Sequence, residues 1–510
     1  MNRIKKQVEN FTTSALSGFG TNNVYLSNLS KKNKMALFLD KAHKNTHGLV
    51  LRSSGIFYYK KNSNFKTTIS FLNYWKIKRD LKVTLICSTR NLDGNLILRE
   101  KVQFENSDVI NYVPSLSESS FEGSIEVEVF GLEDLVIPYA AIIVIYESKF
   151  GISMTHTYGR TYSMHEIEEG NILPIGEETC CHSLISKKQG NSYLIFHNGA
   201  YQTPEQKISL SLLNNQGQRI TTTVDFHSLN AYQTIKIDPR KYFKNYDEFL
   251  NEKPGNLSIS FTLNQSAFPR LLSVNESIGE DDFQVNHSNF NLSKIVGPKL
   301  DDEYGYNNPP RLNDVKTELV IYPDCEDGEF EAIYDTEKVQ FNKDCLTSIE
   351  IIQSKNDCVK FRKINDKLPL RIHTGIRLSK SNDLLPSETC RGIWHSKAQP
   401  KRFFWLPVAG SKKLHSRITV RPYKQSDNEV KNDTQLILKL YSEKNSQILE
   451  TKTSALILNN GAELDSLFPN VDSFLDNSFG WLTIFSDYPF FDVTGTIENE
   501  HGSISYEHAF

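Results

Sequence analysis

Four histidines of the sequence lie at or near the end of an alternating, strand-like stretch. They are His156 in "GISMTHTYGR", His287 in "DDFQVNHSNF", His373 in "LRIHTGIRLS" and His508 in "GSISYEHAF". Imidazoles can ligate metals or transfer protons when they converge with a carboxylate within bonding distance. The first question is therefore whether these histidines share one site or are copies of one position in a repeat.

The densest local group of metal-ligand types is "HTYGRTYSMHEIEE", which contains His156, His165 and three glutamates. The separation of the two histidines fits none of the short ligand spacings of known metal sites. Since the recurrent histidines fall in separate repeats, we expect that they cannot easily form one site. The sequence predicts no metal, no cofactor and no catalytic residue, and it leaves His156 and His165 as candidate contacts for a ligand.

Common catalytic motifs are absent from the sequence. It contains no G-x-S-x-G, no H-E-x-x-H, no P-loop and no glycine-rich dinucleotide turn. Cys180 and Cys181 precede His182, but neighbours along a strand point to opposite faces, which favours buried cysteines over a thiol–imidazole pair. The absence of these motifs favours a non-enzymatic protein and leaves an enzyme as an alternative.

Two aromatic clusters are candidates for ligand binding. "SFLNYWKIKRD" contains Trp75, and "RGIWHSKAQPKRFFWLP" contains Trp394, Phe404 and Trp405. A flat ring at the surface can stack on the C–H face of a sugar, and in a strand at least one of two consecutive residues faces outward. The alternative is that these rings pack in a core or between units.

The elements that carry these residues recur along the chain. Three hairpins, with turns at 93–94, 215–217 and 444–446, alternate polar and apolar residues. Each is followed by a glycine that opens an apolar strand, at Gly123, Gly255 and Gly480, and then by a strand that runs towards a histidine. This order indicates an internal repeat, in which the shared glycine needs either a positive φ or the absence of a Cβ.

Glu-Thr-Cys occurs at 178–180 and again at 388–390, and we interpret both as the opening of a unit. The predicted organisation is an irregular N-terminal arm (1–48), sandwich units at 49–170, 171–290 and 385–510, and a linker with a partly degenerate β unit at 291–384. Short alternating strands with frequent turns predict a mainly β protein of tandem antiparallel β-sandwich units, Ig-like or jelly-roll-like. A single large mixed β structure is the alternative.

The unit at 177–290 resembles the small β-sandwich of the sensory-rhodopsin-transducer type. The shared features are Glu178-Thr179-Cys180 at the head of a strand, "LIFHNGAY", the hairpin "ISLSLLNNQGQ" and a glycine-led strand that ends at Pro269. The pairs His156-Thr157 and His373-Thr374 are similar to the same family. The resemblance covers single units, and it implies a self-associating sandwich that binds protein or small ligands, without implying light signalling.

Composition narrows the class of protein. The chain has 510 residues and a net charge of −3, so no basic excess indicates a nucleic-acid partner. The longest apolar run, "LVIPYAAIIVIY", is too short for a membrane span and contains Pro138. The N-terminus lacks the apolar core of a secretory signal, and the seven cysteines are an odd number without a C-x-x-C. We expect a soluble cytoplasmic protein with reduced thiols.

These observations favour a non-enzymatic, multi-unit β-sandwich protein that binds or assembles with a protein or glycan partner, with a homo-oligomer as one form of that assembly. One alternative is an enzyme that acts on carbohydrate or cell-surface polymer precursors in a cleft between units. Another is a surface or virion structural protein. An enzyme would be recognised by titratable groups of different units that meet in one pocket with perturbed pKa values.

Overall fold

The computed structural model describes residues 51–104, 108–133, 135, 141–156, 160–161, 174–200, 202–264, 271–287, 289–291, 303–323, 327–352, 358–369, 372–381, 383–394, 400–422 and 434–509. It is mainly β, with 55% strand and 7% helix. The predicted fold class is confirmed. The N-terminal arm expected at 1–48 lies outside the described residues.

In the described part of the chain, the first unit contains nine strands in two antiparallel sheets. The strands are β1 (Arg52–Lys61), β2 (Lys66–Leu72), β3 (Val83–Asn91), β4 (Leu96–Val102), β5 (Val109–Tyr112), β6 (Phe121–Gly131), β7 (Ala141–Glu147), β8 (Ile152–Thr155) and β9 (Arg160–Thr161). The sheet orders are β4-β3-β6-β1-β9 and β5-β2-β7-β8. The strands β1, β2 and β6 are buried over most of their length, and the two sheets enclose a core.

The second unit repeats this topology strand for strand. Its strands are β10 (Pro174–Leu184), β11 (Gly190–His197), β12 (Gln206–Leu213), β13 (Arg219–Phe226), β14 (Thr234–Ile237), β15 (Gly255–Asn264), β16 (Leu272–Ser277), β17 (Phe283–His287) and β18 (Asn289–Asn291). The sheet orders are β13-β12-β15-β10-β18 and β14-β11-β16-β17.

The third and fourth units keep the same order, and the described residues of each form eight strands. The third has β19 (Gly305–Asn307), β20 (Lys316–Ile321), β21 (Phe330–Tyr334), β22 (Glu337–Phe341), β23 (Thr347–Glu350), β24 (Val359–Lys363), β25 (Thr374–Ser379) and β26 (Ser387–Arg391). The fourth has β27 (Phe403–Ala409), β28 (Leu414–Pro422), β29 (Gln435–Ser442), β30 (Leu449–Ser454), β31 (Ala462–Glu463), β32 (Phe479–Ser486), β33 (Phe491–Asn499) and β34 (Ile504–His508).

Two details of the sequence interpretation are wrong for the third unit. It is a complete sandwich, with sheets β19-β24-β21-β22 and β23-β20-β25-β26, rather than a degenerate one. The second Glu-Thr-Cys lies on β26, which pairs with β25 and closes the third unit. The boundary expected at 385 therefore moves beyond Trp394. The first Glu-Thr-Cys lies on β10, so the two copies occupy different strands of the repeat.

Helices are short and connect strands. The α-helices are α1 (Tyr74–Arg79), α2 (Tyr246–Leu250), α3 (Ala455–Leu458), α4 (Leu464–Leu467) and α5 (Val471–Leu475), and Pro239–Lys241 is a 3₁₀ turn. Among the described residues no helix is long and apolar enough to cross a membrane.

The recurrent glycines have a steric reason. Gly123, Gly255 and Gly480 do not have positive φ, so the positive φ considered for them is wrong. A Cβ at these positions would lie 2.0, 2.9 and 2.6 Å from the carbonyl oxygens of Arg90, Leu213 and Tyr441. These carbonyls belong to the last or next-to-last residues of β3, β12 and β29, which are equivalent strands of their units. The absence of a Cβ is therefore what these three units share.

The units pack into one body through their last strands. β8 packs against β17 and β34, and β26 packs against the same two strands, so β8, β17, β26 and β34 form a closed ring, here called the closing ring. Backbone N–H groups donate to serine hydroxyls of the neighbouring strand: Met154 to Ser505 Oγ at 2.6 Å, Val285 to Ser153 Oγ at 2.9 Å, and Tyr506 to Ser387 Oγ at 3.1 Å.

Candidate functional site

Three histidines meet at one end of the closing ring. His156 follows β8, His287 ends β17 and His508 ends β34. Each stands two residues after a buried apolar residue of its strand, in "ISMTH", "FQVNH" and "ISYEH". Side chains two apart share a face of a strand, so the packing that buries the apolar residue also turns the imidazole inward.

The distances place four side chains in one cluster. The ring centroids of His156 and His287 are 4.2 Å apart, and those of His156 and His508 are 4.8 Å apart. Glu507 Oε2 lies 3.1 Å from Nδ1 of His156. One possible ligand atom from each of His156, His287, Glu507 and His508 lies within 4.8 Å of the others.

The expectation that histidines of separate units could not share a site is wrong, because the closing ring brings the last strands of the first, second and fourth units together. Sequence reasoning missed Glu507 altogether. Residues next to each other on a strand normally point apart, which hid a carboxylate adjacent to His508. The signal in the sequence that could have indicated the cluster is the recurring apolar-x-apolar-x-His pattern of these strands.

Among its described residues, the third unit supplies no histidine to this cluster. His373 precedes β25 and is not among the four clustered residues. The closing strand of that unit, β26, ends at Cys390 and Arg391. Arg391 pairs with the buried carboxylate of Asp492. Although burial opposes its charge, the neighbouring carboxylates of Asp492 and Glu507 hold the pKa of Arg391 above its ordinary value.

Electrostatics favour a neutral imidazole at His508. Burial holds the pKa of His508 well below its ordinary value, with Glu507 opposing and His156 and Arg391 reinforcing the shift. Exposure of His156, His287 and Glu507 is 4%, 2% and 1%. The cluster is therefore enclosed by protein, and it combines nitrogen donors with a carboxylate.

The aromatic candidates lie mostly inside the protein. Trp75 and Phe404 are buried in core clusters, and Trp75 Nε1 donates to the carbonyl of Leu135 at 3.0 Å. Trp405 is half-buried and stacks on Tyr74 of the first unit, with ring centroids 5.5 Å apart. These three rings pack in cores or between units, which is the alternative that the sequence had left open.

The structure says less about the two remaining candidates for ligand binding, Trp394 and His165. Trp394 is half-buried, and its backbone pairs with that of Tyr306 in the third unit. His165 lies outside the described residues.

A second group of titratable side chains lines a small cavity between the second and third units. Its lining includes His182, Ser183, Tyr322 and Glu388. Burial lowers the pKa of His182 to about 4. Glu388 accepts hydrogen bonds from Ser183 Oγ at 2.9 Å, from Arg377 Nε at 2.9 Å and from Tyr322. Although burial opposes it, these partners hold the pKa of Glu388 below its ordinary value.

The cavity has a volume of about 10 Å³, which is room for one water molecule. Glu388 is held by three side chains, and a volume of this size does not admit a substrate.

Comparison with known proteins supplies no relative from which a role could be carried over. No protein-family model matches the chain, and no curated protein matches it. The resemblance of single units to the sensory-rhodopsin-transducer type stays a prediction, and the function has to be argued from the geometry alone.

Proposed function

We propose that the protein is a non-enzymatic assembly component: a pre-formed body of four β-sandwich units that presents its outer surface to a protein partner. The observation that carries this proposal is the closing ring, because it joins all four units through their last strands. In a chain of independent binding units these last strands would be exposed sheet edges, whereas here they are covered by contacts within the chain.

Packing between units supports a single body. One continuous core combines residues of the first unit with Val274 and Phe283 of the second and with Phe479 and Trp481 of the fourth. Trp481 Nε1 donates to Ser70 Oγ across the boundary at 2.9 Å. Contacts of this kind resemble a domain interior more than a mobile interface.

A protein partner is better supported than a glycan. Trp75 and Phe404, which a sugar would need as platforms, are buried. Two adjacent aliphatic side chains, Leu456 and Ile457 on α3, are 62% and 60% exposed. Burying exposed aliphatic surface is favourable by about 25 cal/mol per Å², so this pair suits a protein contact. A second copy of the chain is the first partner to test, because the family resemblance implies self-association.

The competing proposal is an enzyme with a site between units. It is favoured by one observation, that His182 and Glu388 come from different units and both have shifted pKa values. The one-water volume of their cavity and the three hydrogen bonds to Glu388 weigh against it.

We also keep the cytoplasm as the proposed compartment, since an odd number of cysteines fits reduced thiols.

Sedimentation equilibrium of the full chain over a wide concentration range tests the proposal. We expect self-association that the double change Leu456→Ser, Ile457→Ser weakens about tenfold or more, since about 1.4 kcal/mol of lost contact suffices. Leu132→Ser removes an equally apolar, 98% exposed side chain of the first unit and serves as control. A monomer at every concentration contradicts self-association. Turnover of a glycan substrate that Glu388→Gln abolishes would instead favour the enzyme.

A further inference from the structure

We propose that His156, His287, Glu507 and His508 bind one divalent transition-metal ion at the end of the closing ring. This metal site goes beyond the assembly role and does not depend on it. The four residues come from three units; only Glu507 and His508 are neighbours in sequence, and more than a hundred residues separate His156, His287 and that pair, so no local motif brings the set together.

The donor set has the chemistry of a metal site. Three imidazole nitrogens are borderline ligands, and together with one carboxylate oxygen they suit zinc and its first-row neighbours better than calcium or magnesium, which prefer oxygen ligands throughout. Four protein ligands complete a tetrahedron and leave no open position, which is the pattern of structural sites rather than catalytic ones.

The geometry is close to that of a loaded site. Bonds of about 2.0–2.1 Å in a tetrahedron place ligand atoms about 3.4 Å apart. Nδ1 of His156 and Oε2 of Glu507 are 3.1 Å apart, and the widest separation within the set is 4.8 Å. The widest separation therefore has to shorten by about 1.4 Å when an ion binds.

The burial of Glu507 suits coordination of a cation. Glu507 is 1% exposed, and its two carboxylate oxygens lie 3.1 Å from Nδ1 of His156 and 3.6 Å from Nε2 of His508. A buried carboxylate is costly unless it is paired or coordinates a metal. The competing explanation is an ion pair between Glu507 and a protonated His156, which needs no metal.

The position of the site indicates its role. A metal here would tie the last strands of the first, second and fourth units, and the third unit would contribute Arg391, which pairs with Asp492 of the fourth unit, in place of a ligand. Because the ligands lie far apart in sequence, a bound ion closes long loops of the unfolded chain and stabilises the folded one.

The test uses the full chain without a histidine tag, stripped with a chelator and titrated with Zn²⁺ and Co²⁺. We expect one equivalent per chain, a tetrahedral Co²⁺ absorption spectrum, and a melting temperature that rises with metal. His287→Ala and Glu507→Gln should weaken affinity by about 100-fold or more, beyond the 10- to 100-fold loss typical of groups outside the ligand set. His415→Ala changes an exposed histidine and should leave affinity unchanged.

His287→Cys keeps a ligand at the same place, so it should retain Co²⁺ and add a thiolate charge-transfer band. This variant separates loss of a ligand from loss of folding. Absence of stoichiometric binding, or binding that His287→Ala and Glu507→Gln leave unchanged, would overturn the proposal and favour the ion pair. A tight site whose Co²⁺ spectrum is octahedral would contradict the four-ligand assignment.

Discussion

Replacing Gly123 by alanine tests why the repeat keeps a glycine at this position. A Cβ there would lie 2.0 Å from the carbonyl oxygen of Arg90, whereas ordinary contact begins at 3.4 Å. Gly123 pairs with Tyr59 of β1 and with Asn91 of β3, so it lies inside the sheet with a neighbour on each side. The required opening of about 1.4 Å must therefore disturb the ladder between β6 and β3.

Overpacking of this kind typically costs about 1–3 kcal/mol, and we expect Gly123→Ala at the upper end of that range. Gly255→Ala should cost less, about 1 kcal/mol, because its Cβ would meet the movable end of Leu250 at 2.6 Å and the carbonyl of Leu213 at 2.9 Å. The rank order follows from which neighbour can move: a carbonyl within a sheet is fixed, and a leucine methyl is not.

Urea unfolding of the full chain, followed by tryptophan fluorescence, measures the effect. Trp75 lies in the core of the first unit and reports on the sheet that contains Gly123. The exposed change Lys253→Gln is the control, and its midpoint should stay within about 0.5 kcal/mol of wild type. An unchanged midpoint for Gly123→Ala, or a larger loss for Gly255→Ala, would refute the steric explanation.

Three more outcomes are expected. Asp492→Asn leaves the buried guanidinium of Arg391 without its carboxylate, so the free energy of unfolding in urea should fall by about 3–5 kcal/mol. The control Asp487→Asn changes an exposed side chain and should be nearly neutral, and equal unfolding midpoints for the two variants would contradict this expectation. Trp481→Phe removes the hydrogen bond to Ser70 and should cost about 1–2 kcal/mol, with a favourable coupling to Ser70→Ala in a double-mutant cycle; zero coupling would argue against the bond. Burial lowers the pKa of His182 to about 4 and of His197 to about 3, so both stay neutral in the folded state while the unfolded chain takes up protons below about 6.5. Stability should therefore be full above pH 6.5 and fall towards pH 4, by about 2–3 kcal/mol at pH 4.5 for His182 alone, and His182→Gln should flatten the slope.

The fold class followed from local patterns. Alternation of polar and apolar residues predicts strands wherever it occurs, and glycines in tight turns mark hairpins. Gly94 and Gly217 have φ of +88° and +78°, as the turns of the first two hairpins demand. The repeat could be found for the same reason, because the order of hairpin, glycine-led strand and closing strand is visible in residues that are close together in the sequence.

The third unit was harder because its strands are short. β19 and β23 have three and four residues, too few for alternation to be distinguished from chance. The second Glu-Thr-Cys was then assigned to the wrong end of a unit, because sequence alone does not say which neighbour a strand will pair with. Pairing of β26 with β25 is a property of the sheet.

By itself the sequence determined the mainly β class, the antiparallel sandwich units, the hairpin turns and the recurrence of a histidine at the end of closing strands, because each depends on side chains a few residues apart. Only the tertiary structure decided that these histidines meet. Their convergence depends on four strands from distant parts of the chain forming the closing ring, and on Glu507 joining His156 across that ring. Contacts between units are set by the shape and polarity of whole surfaces, which no local spacing encodes.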